Sequence, residues 1–95
     1  MKVVWTEDAR ADLKRIHSYI GNANPLAAER IKRRVVESTR QLAEFPQSGR
    51  AVERRGMRLL VVAGLPYLIL YCVRQDLVDI QAVLDGRMDR DTDLF

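Results

Sequence analysis

Two stretches in the first half of the chain repeat apolar residues at helical spacing. In the first, apolar residues follow one another at intervals of three or four, at Ala9, Leu13, Ile16 and Ile20. The second carries a similar stripe, at Ala28, Ile31, Val35, Leu42 and Phe45. Such spacing places the side chains on one face of a helix. The pattern therefore predicts two amphipathic α-helices, each with one apolar face.

Capping residues bound both helices. Thr6 is a good N-cap for the first helix, and Gly21 with Asn22 ends it. Asn24 followed by Pro25 starts the second helix, since proline at the first helical position loses no hydrogen bond. Pro46 closes that helix. A connection of about three residues predicts an antiparallel helical hairpin.

Strand-like runs surround the hairpin. A β-branched and aromatic run at 2–5 precedes it, and a polar, irregular segment reaches from its end to Gly56. Three further β-rich runs follow, at 57–62, 67–73 and 77–84. Because their connections are very short, we expect an antiparallel three-strand meander. The prediction is one α+β domain over 1–95: a strand, a helical hairpin and a meander.

The last two strands have different hydrophobic patterns. The last one alternates, which predicts that four side chains point inward: Val78, Ile80, Ala82 and Leu84. Its polar residues Asp79, Gln81 and Asp85 are expected outward. The run at 67–73 is instead apolar on both faces. Its second face therefore either binds a partner or is covered by the chain's own C-terminal segment.

Composition narrows the class of protein. A chain of 95 residues that is 47% hydrophobic forms one small folded domain. One cysteine and one histidine exclude an internal disulfide, a Cys-based zinc site and a His-rich metal site, and we expect no cofactor. No apolar run reaches membrane-spanning length, and acidic residues come too early for a signal peptide. We expect a cytoplasmic protein without membrane contact.

The charge is unevenly distributed. Residues 30–58 contain nine Arg and Lys against three acidic residues, a net charge of +6, whereas residues 76–95 have a net charge of −4. A basic middle suits an acidic partner, or it is simply a solvated surface. The acidic C-terminus argues against a nucleic-acid backbone running past it, so we expect no direct DNA binding.

Few residues can carry chemistry. We expect His17 to be solvated or packed at the edge of the first helix, and Cys72 to be a buried, inert thiol. The remaining candidates are arginines that could hold a phosphate: Arg58, Arg87 and Arg90. Arginine is a poor general base because it stays protonated.

Five short sequence words are spread along nearly the whole chain: V-W-T at 4–6, N-P at 24–25, P-Q-S-G-R at 46–50, P-Y at 66–67 and V-L-D-G-R at 83–87. In this order they resemble the RelE/ParE superfamily of bacterial toxins. The resemblance implies the toxin of a type II toxin–antitoxin pair. RelE-like members resemble ribosome-dependent mRNA endonucleases, and ParE-like members resemble non-catalytic inhibitors of DNA gyrase.

Departures from the RelE-like pattern favour the ParE-like interpretation. Leu68 stands where RNA-cleaving members place an arginine, Asp85 where many place a histidine, and Phe95 where they often place a catalytic tyrosine. We expect no catalytic residue and gyrase as the target. The alternative is a RelE-like endonuclease in which Arg58 and Arg87 hold the phosphate.

The resemblance also implies a cognate antitoxin. For ParE-like toxins this is a ParD-like ribbon-helix-helix protein with an acidic, amphipathic tail. Acidic residues of such a tail suit the basic second helix, and its apolar residues suit the second face of the sheet. The expected antitoxin-binding residues are Arg30, Arg33, Arg34, Arg58, Leu68 and Leu70.

Overall fold

The computed structural model describes residues 1–53 and 56–87 and has the expected α+β order. A strand precedes two helices, and four strands follow them. The elements are β1 (Lys2–Trp5), α1 (Glu7–Gly21), α2 (Pro25–Gln41), β2 (Arg50–Ala51), β3 (Met57–Val61), β4 (Tyr67–Arg74) and β5 (Leu77–Asp85).

All described strands form one sheet in the order β1-β5-β4-β3-β2. β3, β4 and β5 pair antiparallel, which confirms the predicted meander. β1 joins the sheet parallel to β5, so the first strand of the chain lies beside the last described one. β2 occupies a segment expected to be irregular, and pairs with β3 through only two residues.

The helix starts follow the capping prediction. The Thr6 side chain accepts a hydrogen bond from the N–H of Ala9 at 3.1 Å, and the Asn24 side chain accepts one from the N–H of Ala27 at 3.0 Å. Each bond satisfies an N–H that has no partner within the first turn of its helix. In addition, the Thr6 hydroxyl donates to the carbonyl of Ile80 at 3.0 Å, which ties the start of α1 to β5.

The second helix ends earlier than predicted. α2 stops at Gln41, because the N–H groups of the next three residues bond to carbonyls three positions back. This tighter turn changes the angular spacing of the side chains. Leu42 remains fully buried, but Phe45 is 63% exposed, so its expected place in the apolar stripe was wrong.

A β-bulge in β5 changes which of its side chains point inward. Leu70 pairs with Ala82 and Tyr71 pairs with Ile80, which leaves Gln81 as an extra residue. An extra residue reverses the alternation of side chains beyond it. Val83 consequently lies in the core, whereas Ala82 was wrongly expected there.

Two further expectations for β5 change as well. Leu84 pairs with Leu68 on the face away from the core, although it was expected inward. Asp85 was expected outward, but it pairs with Tyr67, a core residue, and so lies on the side of the core. Asp79 points outward as expected, but it is buried there and forms an ion pair with Arg74 on β4. Pairing with a cation offsets the cost of burying this carboxylate.

The core lies between the helices and one face of the sheet. It joins residues of α1, α2, β4 and β5, including Ala9, Val35, Ile69, Tyr71 and Ile80. Partly buried residues of β1 pack against it. In the described part of the chain, no helix is long and apolar enough to span a membrane.

Candidate functional site

The basic residues of α2 lie on its exposed surface. Arg30, Arg33 and Arg34 are all exposed. Arg34 has a defined contact, since its guanidinium donates to the carbonyl of Ala63 in the turn between β3 and β4. This bond fixes one positive charge of α2 beside the end of β3.

The face of the sheet turned away from the helices, which we call the outer face, carries two apolar rows. Leu68 pairs with Val61 on one side and Leu84 on the other. Leu70 pairs in the same way with Leu59 and Ala82. Residues paired directly across strands share a face, so each row continues over three strands.

Burial differs strongly between these rows. Leu59 and Leu70 are buried, at 2% and 6% exposure, although neither belongs to the core cluster. Leu68 and Leu84 are half-buried, and Val61 is 61% exposed. Residues 88–95, the alternative cover named from the sequence, lie outside the described residues, as do Arg90 and Phe95.

Arg58 lies on the other face of the sheet, where it holds the turn before β2. Its register partner is Tyr71, a core residue. The guanidinium donates to the Gly49 carbonyl at 2.6 Å and to the Gln47 side-chain oxygen at 3.3 Å. Tyr71 holds the same turn, since its hydroxyl donates to the Pro46 carbonyl at 2.8 Å and accepts from the Gly49 N–H at 2.9 Å.

The buried tyrosines predict a loss of stability in alkali. Burial is the main cause that raises the pKa of Tyr71 and of Tyr67 above the ordinary value of about 10. Because the unfolded chain then loses these protons first, their contribution to stability is complete below pH 10. It is lost as the pH rises through the folded-state pKa values.

The measurement is the free energy of unfolding between pH 8 and 12. We expect it to fall above pH 10, and to fall less steeply in Tyr67→Phe than in the unchanged protein. An identical slope in both proteins would contradict the assignment of this effect to Tyr67.

Arg87 is held at the end of β5. The Asp85 carboxylate accepts from its Nε at 3.1 Å and from its Nη2 at 2.9 Å, and this is the main cause that raises the pKa of Arg87. The guanidinium lies 5.9 Å from the centre of the Tyr67 ring, within the range of a cation–π interaction. Arg87 is thus exposed to solvent, and its contacts with Asp85 and Tyr67 orient its guanidinium.

Arg58 and Arg87, the two predicted phosphate-binding arginines that the structure describes, do not converge. Arg58 lies opposite Tyr71 and Arg87 lies over Tyr67, which are four residues apart on β4. That spacing is about 13 Å along a strand. Each guanidinium is also engaged, with the turn in one case and Asp85 in the other.

The expected antitoxin-binding residues fall into three places. Arg30, Arg33 and Arg34 are on α2, Leu68 and Leu70 are on the outer face, and Arg58 is on the helix-covered face. Arg34 is the link between the first two groups, because its partner Ala63 lies two residues beyond Val61.

The histidine and the cysteine lie apart from each other. The Nε2 of His17 is 2.6 Å from a carboxylate oxygen of Glu29, which joins α1 to α2 and lowers the pKa of Glu29. Cys72 is half-buried rather than buried, and its sulfur accepts from the Gln81 amide at 3.7 Å. Within residues 1–53 and 56–87 no cluster of metal-ligating side chains is found.

Asp12 makes a contact between α1 and β5 that was not predicted from the sequence. One carboxylate oxygen accepts the Val83 N–H at 3.0 Å, next to the β-bulge, and the other pairs with Arg15 at 2.8 Å. The contact positions α1 on β5, the strand that carries Asp85 at its end. Its sequence signal is weak, since a single acid on a helix is usually solvated.

Comparison with known proteins identifies the family. The model of the ParE toxin of type II toxin–antitoxin systems matches residues 3–90. The chain belongs to the ParE toxin family. Among curated relatives, Toxin RelE2 of Caulobacter vibrioides is 44% identical over 79 residues, covering 83% of this chain and 88% of the relative. Putative toxin Y4kP of Sinorhizobium fredii is 37% identical over 83 residues, covering 87% and 85%.

A solved structure shares the ParE fold of this chain. It is described as a chromosomal ParDE toxin–antitoxin system from P. aeruginosa. The TM-score is 0.79 at 26% sequence identity, and the match covers 87% of this chain and 92% of that one. The chain is therefore a ParE-family toxin of a type II toxin–antitoxin system.

Proposed function

We propose that this ParE-family toxin inhibits DNA gyrase by binding it in the cytoplasm, does not cut RNA, and is neutralised by a ParD-like ribbon-helix-helix antitoxin. The observation that carries the non-catalytic part is the separation of Arg58 from Arg87, each engaged with its own partner. Phosphate cleavage requires a charge clamp and an acid–base pair within reach of one reacting group.

The positions that could carry acid–base chemistry support binding rather than cleavage. Asp85 is occupied by Arg87, and Leu68, which stands where RNA-cleaving members place an arginine, has no polar group. The single histidine, His17, pairs with Glu29 on the helical hairpin. None of these groups stands free to take a proton from a ribose hydroxyl at Arg87.

The arrangement of charge and apolar surface supports a protein antitoxin. The guanidinium of Arg34 on α2 contacts the Ala63 carbonyl, two residues beyond Val61, so a positive charge of α2 lies beside the Val61 end of the outer face. An acidic, amphipathic segment complements both surfaces. The solved relative is part of a ParDE system, which supports a ParD-like partner for this chain.

An endonuclease activity is the alternative, favoured by one observation. The relative with 44% identity carries the name Toxin RelE2. In that case Arg58 and Arg87 would hold the phosphate, and removing Arg87 would slow cleavage by about 10²–10³-fold.

The two functions are separated by inducing the toxin in cells and mapping the ends of ribosome-bound messages. We expect filamentation and DNA damage with no codon-specific message cleavage, in the unchanged toxin and in Arg87→Ala alike. Codon-specific cleavage that disappears in Arg87→Ala would replace the gyrase proposal by the endonuclease.

A further inference from the structure

In the part of the chain that the structure describes, the edge of the sheet is open at the end of β3. β2 and the residue after it pair with the first three residues of β3, and leave its last two residues uncovered. The N–H of Val62 bonds to the Tyr67 carbonyl, toward β4. Successive residues of a strand direct their backbone groups to opposite sides, so the N–H and C=O of Val61 point to the open edge.

Two kinds of surface meet at this edge. On the outer face, Val61 begins the apolar row that continues through Leu68 and Leu84. Val61 is the most exposed member of that row, at 61%. On the helix-covered side, the Arg34 guanidinium reaches the Ala63 carbonyl, and Arg30 lies one helical turn before it. The edge is thus apolar on one side and positively charged on the other.

A strand added at such an edge must meet both surfaces. Its alternate side chains point to opposite faces, so one set packs on the apolar row and the other set approaches the arginines of α2. Charge complementarity requires that second set to be acidic. The matching sequence is an extended segment in which apolar and acidic residues alternate.

We propose that an extended, alternating apolar and acidic segment of a partner protein docks beside Val61 as an additional strand of the sheet. The inference rests on the proposed function, in which this segment belongs to the antitoxin. Its backbone bonds to the N–H and C=O of Val61, its apolar side chains pack on the Val61 end of the apolar row, and its carboxylates face Arg30 and Arg34.

The test compares two proline substitutions in the full-length toxin. Val61→Pro removes the N–H that points to the open edge, and proline is tolerated at edge positions of this kind. Ala51→Pro is the matched control. Ala51 is also exposed, and because Arg50 bonds to Leu59 its N–H points away from β3. Circular dichroism first verifies that both variants are folded.

The probe is the purified full-length product of the reading frame next to the toxin gene. We expect Val61→Pro to weaken its binding at least tenfold and Ala51→Pro to change it less than twofold. Equal affinities for Val61→Pro and the unchanged toxin would overturn the added strand.

Amide hydrogen exchange tests the same proposal without any substitution. In the unchanged toxin, we expect exchange at Val61 to slow at least tenfold when the probe is bound. Binding without protection of Val61 refutes the added strand but does not contradict the proposed antitoxin. Absence of any binding by the probe refutes the proposed antitoxin itself, so the two failures are distinct.

Discussion

Replacing Gly49 with alanine is expected to lower the free energy of unfolding by about 2–4 kcal/mol. A Cβ at this position would lie 2.8 Å from the Tyr71 ring and hydroxyl and 2.9 Å from the Leu59 carbonyl. Tyr71 is fully buried and fixed by the Pro46 carbonyl, so it has no room to move aside. The substitution must break the bonds that attach the turn before β2 to β4.

Gly21→Ala provides the matched control. A Cβ at Gly21 would make an ordinary contact with the Cβ of Ala28 at 3.6 Å. We expect this variant to be neutral or more stable by up to about 1 kcal/mol, because alanine restricts the unfolded chain. Chemical denaturation measures both variants, and equal stabilities would contradict the packing described around Tyr71.

Asp12→Ala is expected to lower the free energy of unfolding by about 1–3 kcal/mol. The substitution leaves the N–H of Val83, a buried residue beside the β-bulge, without the acceptor that Asp12 supplies. Asp12→Asn retains a side-chain oxygen and should lose less. The loss arises at the contact between α1 and β5, so Asp12→Ala should also reduce the order of the Asp85 end of β5.

Arg15→Ala separates this hydrogen bond from the ion pair. Arg15 pairs with the other oxygen of Asp12, and its side chain is 68% exposed. Exposed ion pairs contribute little, so we expect a loss below about 1 kcal/mol. If Arg15→Ala and Asp12→Ala were equally destabilising, the bond to Val83 would have no special part in stability.

The features encoded in neighbouring residues were predictable from the sequence. Thr6 and Asn24 cap their helices as predicted, because a cap needs only a side-chain oxygen and the N–H three residues later. The meander followed from connections too short for any other topology. The end of α2 was missed, because the apolar stripe continues in sequence to Phe45 while the backbone has already tightened after Gln41.

The features that depend on distant contacts were not predictable. Residues 82–84 are all apolar, so apolar side chains point inward whether or not a bulge shifts the alternation. Only the pairing of β5 with β4 therefore reveals the bulge at Gln81. The two-residue strand β2 has no hydrophobic pattern of its own.

The candidate site was predictable in its residue types but not in its geometry. Sequence reasoning correctly identified exposed arginines on α2 and an apolar second face on β4. It did not show that Arg58 donates a hydrogen bond to the Gly49 carbonyl, or that Arg34 donates one to the Ala63 carbonyl. Both contacts join segments distant in sequence, and a linear pattern carries no information about them.

The measurement that tests the central claim most directly is the supercoiling of relaxed plasmid by purified gyrase, with increasing amounts of purified toxin. The account predicts that supercoiling is lost as the toxin is added and is restored when the candidate antitoxin is present. It also predicts that neither the unchanged toxin nor Arg87→Ala cuts the message in a parallel reaction with programmed ribosomes. Unimpaired supercoiling together with cleavage of the ribosome-bound message would contradict the account.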